Sequence, residues 1–136
     1  MSIGSDFTMI YFGEHLGPNE TDLQASWTTF VGNQSSQKTF NVDNPPANEA
    51  YMLVQTLHVG VFSHKIYIND VGLDGYQIPE HQGWSTWMVG LGEGILKHGA
   101  NTIQVVRDKN SDDSFVVGYV VVHWREIVND QANVYA

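Results

Sequence analysis

Apolar and polar positions alternate along most of this chain, and over no useful length do they recur with the 3.6-residue period of a helix. The clearest run is 115–124, Phe-Val-Val-Gly-Tyr-Val-Val-Val-His-Trp. Its β-branched density and its apolar residues on both faces predict a central strand. Residues 50–61 predict a second long strand. There Tyr51, Leu53, Leu57 and Val59 share one face, with Gln55 as the exception, and Met52, Val54, Thr56 and His58 share the other. Shorter strands are expected at 7–12 (an edge strand), 23–31, 38–42, 65–71, 84–91 and 101–107, with Ile66, Ile68, Ile103 and Val105 turned inward. Turn signals separate them. These are Gly17-Pro18-Asn19, a polar loop at 32–37, Asn44-Pro45-Pro46, the Asn69-Asp70 pair, and a long loop at 72–83. A loop or short helical turn follows at 92–98, then a polar hairpin loop at 108–113. Residues after Glu126 read as an end strand or a frayed terminus. About eight antiparallel strands punctuated in this way predict an all-β sandwich or barrel, as a single domain over 1–136 with no repeat or linker.

Composition narrows the partners more than the fold. A chain of 136 residues with 42% hydrophobic content can bury a core unaided, and the lack of cysteine excludes disulfides and thiolate metal sites. Fifteen acids against six Lys and Arg give a net charge of −9, which argues against nucleic acid and anionic membranes. The same balance suits a neutral ligand such as a sugar, a cation, or plain solubility. No apolar run approaches the ~18 residues that would span a bilayer, so no membrane insertion is expected. No basic stretch followed by an apolar one marks a signal peptide, which leaves the cytoplasm as the default compartment.

One pair of segments is more specific than composition. Lys65-Ile-Tyr-Ile-Asn-Asp-Val-Gly72 is followed by Ile95-Leu-Lys-His-Gly-Ala-Asn-Thr-Ile-Gln-Val105. Together they resemble the signature of galactose-binding-like jelly rolls. They are most similar to the sugar-binding accessory domain of β-galactosidases and β-glucuronidases. The second segment matches at Leu96, Lys97, Gly99, Asn101, Ile103 and Val105, while the first departs because Asp70 stands where the family has glycine. Gly99 lets the backbone reverse and Asn101 can bond the turn's own amides, so these are residues of the fold. The resemblance covers residues 50–124 as a strand pattern. It implies a jelly-roll β-sandwich and transfers no function, since the family includes sugar binders, protein binders and structural spacers.

Candidate chemistry is sparse. Glycoside hydrolysis needs two carboxylates across one cleft, and Asp74, Glu80 and Glu93 fall in loops without a surrounding motif. No nucleophile elbow, phosphate loop or paired zinc histidines is present, so a non-catalytic role is expected. His15, His58, His64, His81, His98 and His123 read as partly buried or surface histidines. Asp108, Asn110 and Asp112 alternate like the start of a calcium loop. The glycine and the distal Glu that would complete one are missing, and a solvated hairpin explains the same residues. No cofactor is expected, with calcium as the weak exception.

The segment 75–87 is the best ligand candidate. Tyr76, His81, Trp84 and Trp87 gather rings near Gln77, Glu80 and Gln82, and sugars stack on rings while amides and carboxylates bond their hydroxyls. Trp84 and Trp87 differ by an odd spacing, so a strand turns one of them into the core. Two readings stay open: a carbohydrate-binding module or lectin, and an assembly domain that binds a protein or its own copy through sandwich faces and edges. The two-faced apolar strands favour the second, because an apolar outer face needs a partner. If Val116, Val120 and Val122 cover such a face, the chain is expected to be a homo-oligomer.

Overall fold

The computed structural model describes residues 2–72 and 77–128, so Asp74 and Tyr76 lie outside the described residues. The alternating segments form nine strands among them: β1 (Ser2–Leu16), β2 (Thr29–Gly32), β3 (Lys38–Val42), β4 (Ala50–Val59), β5 (Lys65–Ile68), β6 (Val71–Gly72), β7 (His81–Leu91), β8 (Gly99–Val106) and β9 (Phe115–Val128). They make two sheets, in the orders β2-β1-β9-β4-β7 and β3-β8-β5-β6. The expected central strand is indeed central, flanked by β1 and β4.

Between the sheets lies one apolar core. The larger sheet contributes Ile10, Phe12, Met52, Val54, Val120 and Val122 among others, and the smaller contributes Phe40, Val42, Ile66, Ile68, Ile103 and Val105. Inward Ile66, Ile68, Ile103 and Val105 are as the alternation predicts. The jelly-roll signature also behaves as a fold device. Asn69 and Asp70 take φ of 54° and 64°, the consecutive positive values of a tight hairpin turn, so Asp70 serves where the family has glycine. Fully buried Asn101 accepts from the Lys97 amide at 2.8 Å and donates to the Lys97 and Gly99 carbonyls. Asn69 donates to Asn101 Oδ1 at 2.9 Å and accepts from the Thr102 amide, which ties the 92–101 turn to the β5–β6 hairpin.

Three expectations need correction. The edge strand at 7–12 is a 15-residue strand that pairs with β9 from Ser2↔Val128 to Leu16↔Phe115. Its N-terminal Ser2, Gly4, Ser5 and Asp6 sit there because each has a partner across the ladder. The strand expected at 23–31 shrinks to β2, and its pairing with β1 is parallel, so the sandwich is not wholly antiparallel. Residues 17–28 are the reason: a parallel return needs a crossover of about a dozen residues. They supply it through a single 3-10 turn (Glu20–Asp22) and a turn closed by Thr28 onto the Ala25 carbonyl. Finally, His58 takes a φ of 58° at a register shift in β4, which switches the strand's parity. Val59 therefore joins Met52, Val54 and Thr56 on the buried side and leaves Tyr51, Leu53, Gln55 and Leu57 on the other.

The outer face of the five-stranded sheet follows from that register. Phe7, His123 and Tyr51 stand in one row across β1, β9 and β4, and their rings stack at centroid distances of 5.4 and 4.7 Å. Met9, Val121, Leu53 and Met88 form the next row, extended onto β7. Tyr11 and Tyr119 pair in the third, and across the register shift between β9 and β4 Gln55 and Thr86 pair beside them. Val120 and Val122 point into the core and Val116 is fully buried, so none of the three covers this face.

Candidate functional site

At one end of the sandwich the β4–β5 connection, the segment leading into β7 and the 108–114 loop enclose a cleft of about 530 Å³. Its walls are His58, Val59 and Gly60, then Glu80, His81 and Gln82, then Asp113 and Ser114. A buried clamp holds these segments together. The Asp108 amide donates to His64 Nδ1 at 2.9 Å, so the proton of the neutral ring sits on Nε2 and is donated to Asp113 Oδ2 at 2.7 Å. The same carboxylate oxygen accepts from the Gly60 amide at 3.0 Å. His64 stacks on Phe115, and burial holds its pKa below the usual 6.5 against the opposing pull of Asp113. Both ring nitrogens are engaged, so His64 is an organiser of the cleft rather than a base within it.

The predicted ligand residues separate here. Among the described residues, exposed Glu80 and Gln82 have no hydrogen-bond partner, and both line the cleft. His81 lines it too, with its ring committed. Nδ1–H donates to the Gly83 carbonyl at 3.1 Å, so Nε2 accepts from the Thr56 hydroxyl at 2.7 Å. Trp84 lies on the same side of β7 as Gln82, 46% exposed, with its ring 5.7 Å from that of Trp27. It reaches across β4 to β9: a Cβ added to Gly118 would lie 3.1 Å from Trp84 Cζ3 and collide with Gln55 Oε1. Trp87 faces the other way and packs against the core, its Nε1 buried without a partner. The odd spacing thus sorts the two rings as expected. Gln77 is half-buried and does not line the cleft, and Tyr76 lies outside the described residues.

Several cleft residues escape a reading by sequence. His58 offers only a bulge without an apolar pattern, and its Nδ1 accepts from the Gly83 amide at 3.3 Å, which leaves Nε2–H as a donor. Asp113 and Ser114 sit in what reads as a plain polar loop. Trp27 falls within the β-prone run at 23–31, yet it belongs to the crossover and stands over Trp84. No signal marks Trp27, since Leu23, Ala25 and Trp27 alternate with Gln24, Ser26 and Thr28 as a strand would.

The alternate acids at 108–112 are bonded as a turn. Asp108 Oδ1 accepts from the Asn110 amide at 3.0 Å, and the Asp108 carbonyl accepts from the amide and hydroxyl of Ser111. Hydrogen bonds from Ser63 and the Asn110 amide hold the Asp108 carboxyl below its usual range. Buried Arg107 donates to the Asp108 and Ser111 carbonyls and to Asn33 Oδ1, bracing the loop from behind. Among the described residues no three His, Asp or Glu side chains converge as a metal site would require. A second cleft, of about 550 Å³, lies beneath the crossover, with His15, Gln24, Ser26 and Phe30 in its lining. His15 there is buried, its Nε2 lacks a partner, and burial lowers its pKa against the pull of Asp22 and Glu20.

Solved structures share this architecture. The CBM36-1 domain of a multidomain xylanase from the hindgut metagenome of Trinervitermes trinervoides superposes with a TM-score of 0.56 at 8% identity, over 86% of this chain and 96% of that one. Dimeric latent PorU from Porphyromonas gingivalis gives 0.55 at 7% identity, over 93% of this chain but 13% of that one. A β-porphyranase of glycoside hydrolase family 86 from the human gut bacterium Bacteroides plebeius gives 0.50 at 14% identity, over 90% of this chain and 21% of that one. At such identities the likeness is one of fold: a galactose-binding-like jelly roll, as the 65–72 and 95–105 segments imply. No curated protein matches the sequence. A family model, by contrast, matches nearly the whole chain, residues 4–126, and the protein belongs to that family, described as a family of unknown function (DUF7383).

Proposed function

We propose that the protein binds carbohydrate without cleaving it, in the cleft between His58, Glu80, Gln82 and Asp113. The observation that carries the reading is the set of groups left unpaired there. A carboxylate acceptor on Glu80, an amide on Gln82 and an imidazole N–H on His58 surround one opening, and two residues beyond Gln82 on β7 the Trp84 ring is exposed, outside the cleft's own lining. Sugar hydroxyls need mixed donors and acceptors, and a sugar's C–H face stacks on an aromatic ring. The jelly-roll fold, which this chain shares with a carbohydrate-binding module of a xylanase, supports the same reading. Asp113 does not form a hydrolytic pair with Glu80 in this reading, because its Oδ2 is bonded to His64 and Gly60.

A glycan array followed by calorimetry tests it. The wild type is expected to bind at least one glycan. Glu80→Ala, Gln82→Ala and Trp84→Ala should each weaken that binding, the first two with the melting temperature nearly unchanged and the third with a drop of only a few degrees. A wild type that binds no glycan, or three variants that bind as well as it does, would sink the proposal. Release of new reducing ends from a bound glycan would overturn its non-catalytic part.

A further inference from the structure

Phe7, Met9, Tyr11 and Met88 are 61%, 63%, 65% and 66% exposed, and all four lie on the three outer rows of the five-stranded sheet. No Asp, Glu, Lys or Arg occupies those rows, in a chain whose net charge is −9. We infer that this face is a self-association surface on which a second copy of the chain packs, sheet against sheet. The inference is independent of the cleft, which opens at the end of the sandwich.

Size, charge and arrangement each point to a second copy. Four strands about 4.8 Å apart and three rows about 6.8 Å apart outline about 400 Å² per copy in projection. Side-chain relief raises the accessible surface buried between two copies to about 1,000 Å², the lower bound for a specific interface. A basic partner finds no anion on the three rows, whereas two copies meet uncharged surface to uncharged surface. Aromatic rings and methionine without charge are also the composition of an interface core. The arrangement is the most specific argument. An aliphatic row (Met9, Val121, Leu53, Met88) lies between two rows that carry rings. A two-fold axis lying in the interface along that row sets each of its residues on its own counterpart and lays the ring-bearing rows on one another, the self-complementarity of an isologous contact. A glycan fits less well, since the central row holds no hydrogen-bonding side chain.

Sedimentation equilibrium over a concentration series tests the inference. The wild type should dimerise, and more tightly as salt screens the repulsion between two acidic bodies. Leu53→Asp and Leu53→Lys should each be monomeric, because each sets like charges across the axis. Mixed in equal parts they should pair, which only a contact of this residue with its own counterpart allows. Met9→Asp and Met9→Lys repeat the experiment at an exposed position where folding is not at risk, and circular dichroism confirms the fold of all four. A wild type that is monomeric at every concentration and salt overturns the inference, as does a dimer that survives these substitutions or a mixture that fails to pair. A monomer that pellets with an insoluble polysaccharide, and no longer does so as Met9→Lys, assigns the face to a glycan and overturns it as well.

Discussion

The inner and outer faces of the five-stranded sheet are built by the same strands from adjacent residues, and both are apolar. On β9 the inner positions are Val120, Val122 and Trp124, and the outer ones between them are Tyr119, Val121 and His123. On β4 the inner Met52 and Val54 alternate with the outer Tyr51 and Leu53. What separates the faces is shape and cover rather than hydrophobicity. The inner side is dominated by Val, Ile and Leu that interdigitate with a second sheet about 10 Å away. The outer side carries flat rings and flexible methionines, side chains suited to meeting a surface that arrives later. An apolar residue is therefore not evidence of core on its own; the evidence is the second layer above it.

The widest gap between the faces should appear in two methionines. Met52→Ala, at a fully buried position, should cost about 3 kcal/mol in urea unfolding. Met88→Ala should stay within about 0.5 kcal/mol at low protein concentration. Equal losses would erase the distinction. The two tryptophans of β7 sharpen it. Trp87→Ala should cost about 3 kcal/mol and Trp84→Ala about 1 kcal/mol, with ligand binding lost only in the latter. Trp87→Phe should be far milder than Trp87→Ala, since it keeps a ring in the core and removes the unpaired Nε1–H. Gly118→Ala probes the outer face from beneath. Its methyl must displace Gln55 and Trp84, so a loss of about 1–2 kcal/mol with a shift in tryptophan fluorescence is expected. An unchanged spectrum would mean that the Trp84 ring does not rest on β9.

Acid should act more gently, and just below neutrality it should act through the buried histidines. Burial lowers the pKa of His64 and His15 below 6.5, so just beneath that value the unfolded chain takes up protons that the folded chain does not. Their contribution to stability is whole above 6.5 and declines as the pH falls from there through the lower folded values. Melting temperature measured against pH should follow that direction, and His64→Asn should flatten the curve. A melting temperature that rises on acidification through this window would contradict the buried clamp. The smallest effect is expected from EDTA, which should leave the melting temperature unchanged because the Asp108 oxygens are bonded within their own turn. A marked drop would restore the calcium reading of Asp108, Asn110 and Asp112.

Much of this architecture is legible along the chain, for local reasons. Alternation finds Lys38–Val42 to the residue, and the Asn69-Asp70 and Gly99-x-Asn101 turns follow from backbone chemistry. The role of β1 is not legible, because Ser2, Gly4, Ser5 and Asp6 have low strand propensity and are held by pairing with β9 more than a hundred positions away. The parity of β4 fails at one residue, His58, whose positive φ no pattern announces. The site divides in the same way. Glu80, Gln82 and Trp84 stand out as polar groups beside a ring in one segment. Asp113 joins them through the His64 clamp, a contact between positions 49 apart, and His58 through the bulge at which it accepts from the Gly83 amide.

The place of β9 in the sheet also sets an order in time. β1 and β4 bond to it and not to each other, so the larger sheet has no continuity before residues 115–128 exist. A chain emerging from the ribosome can close the β4–β7 and β5–β8 hairpin-like pairs early, since all four strands precede residue 107. Until β9 follows, β1 and β4 each hold an open edge, and Ile10, Phe12, Met52 and Val54 lack the strand that joins them. Among the described residues the last strand to be made is the one that seals the sheet, and an arrest of synthesis just short of it would leave two sticky halves.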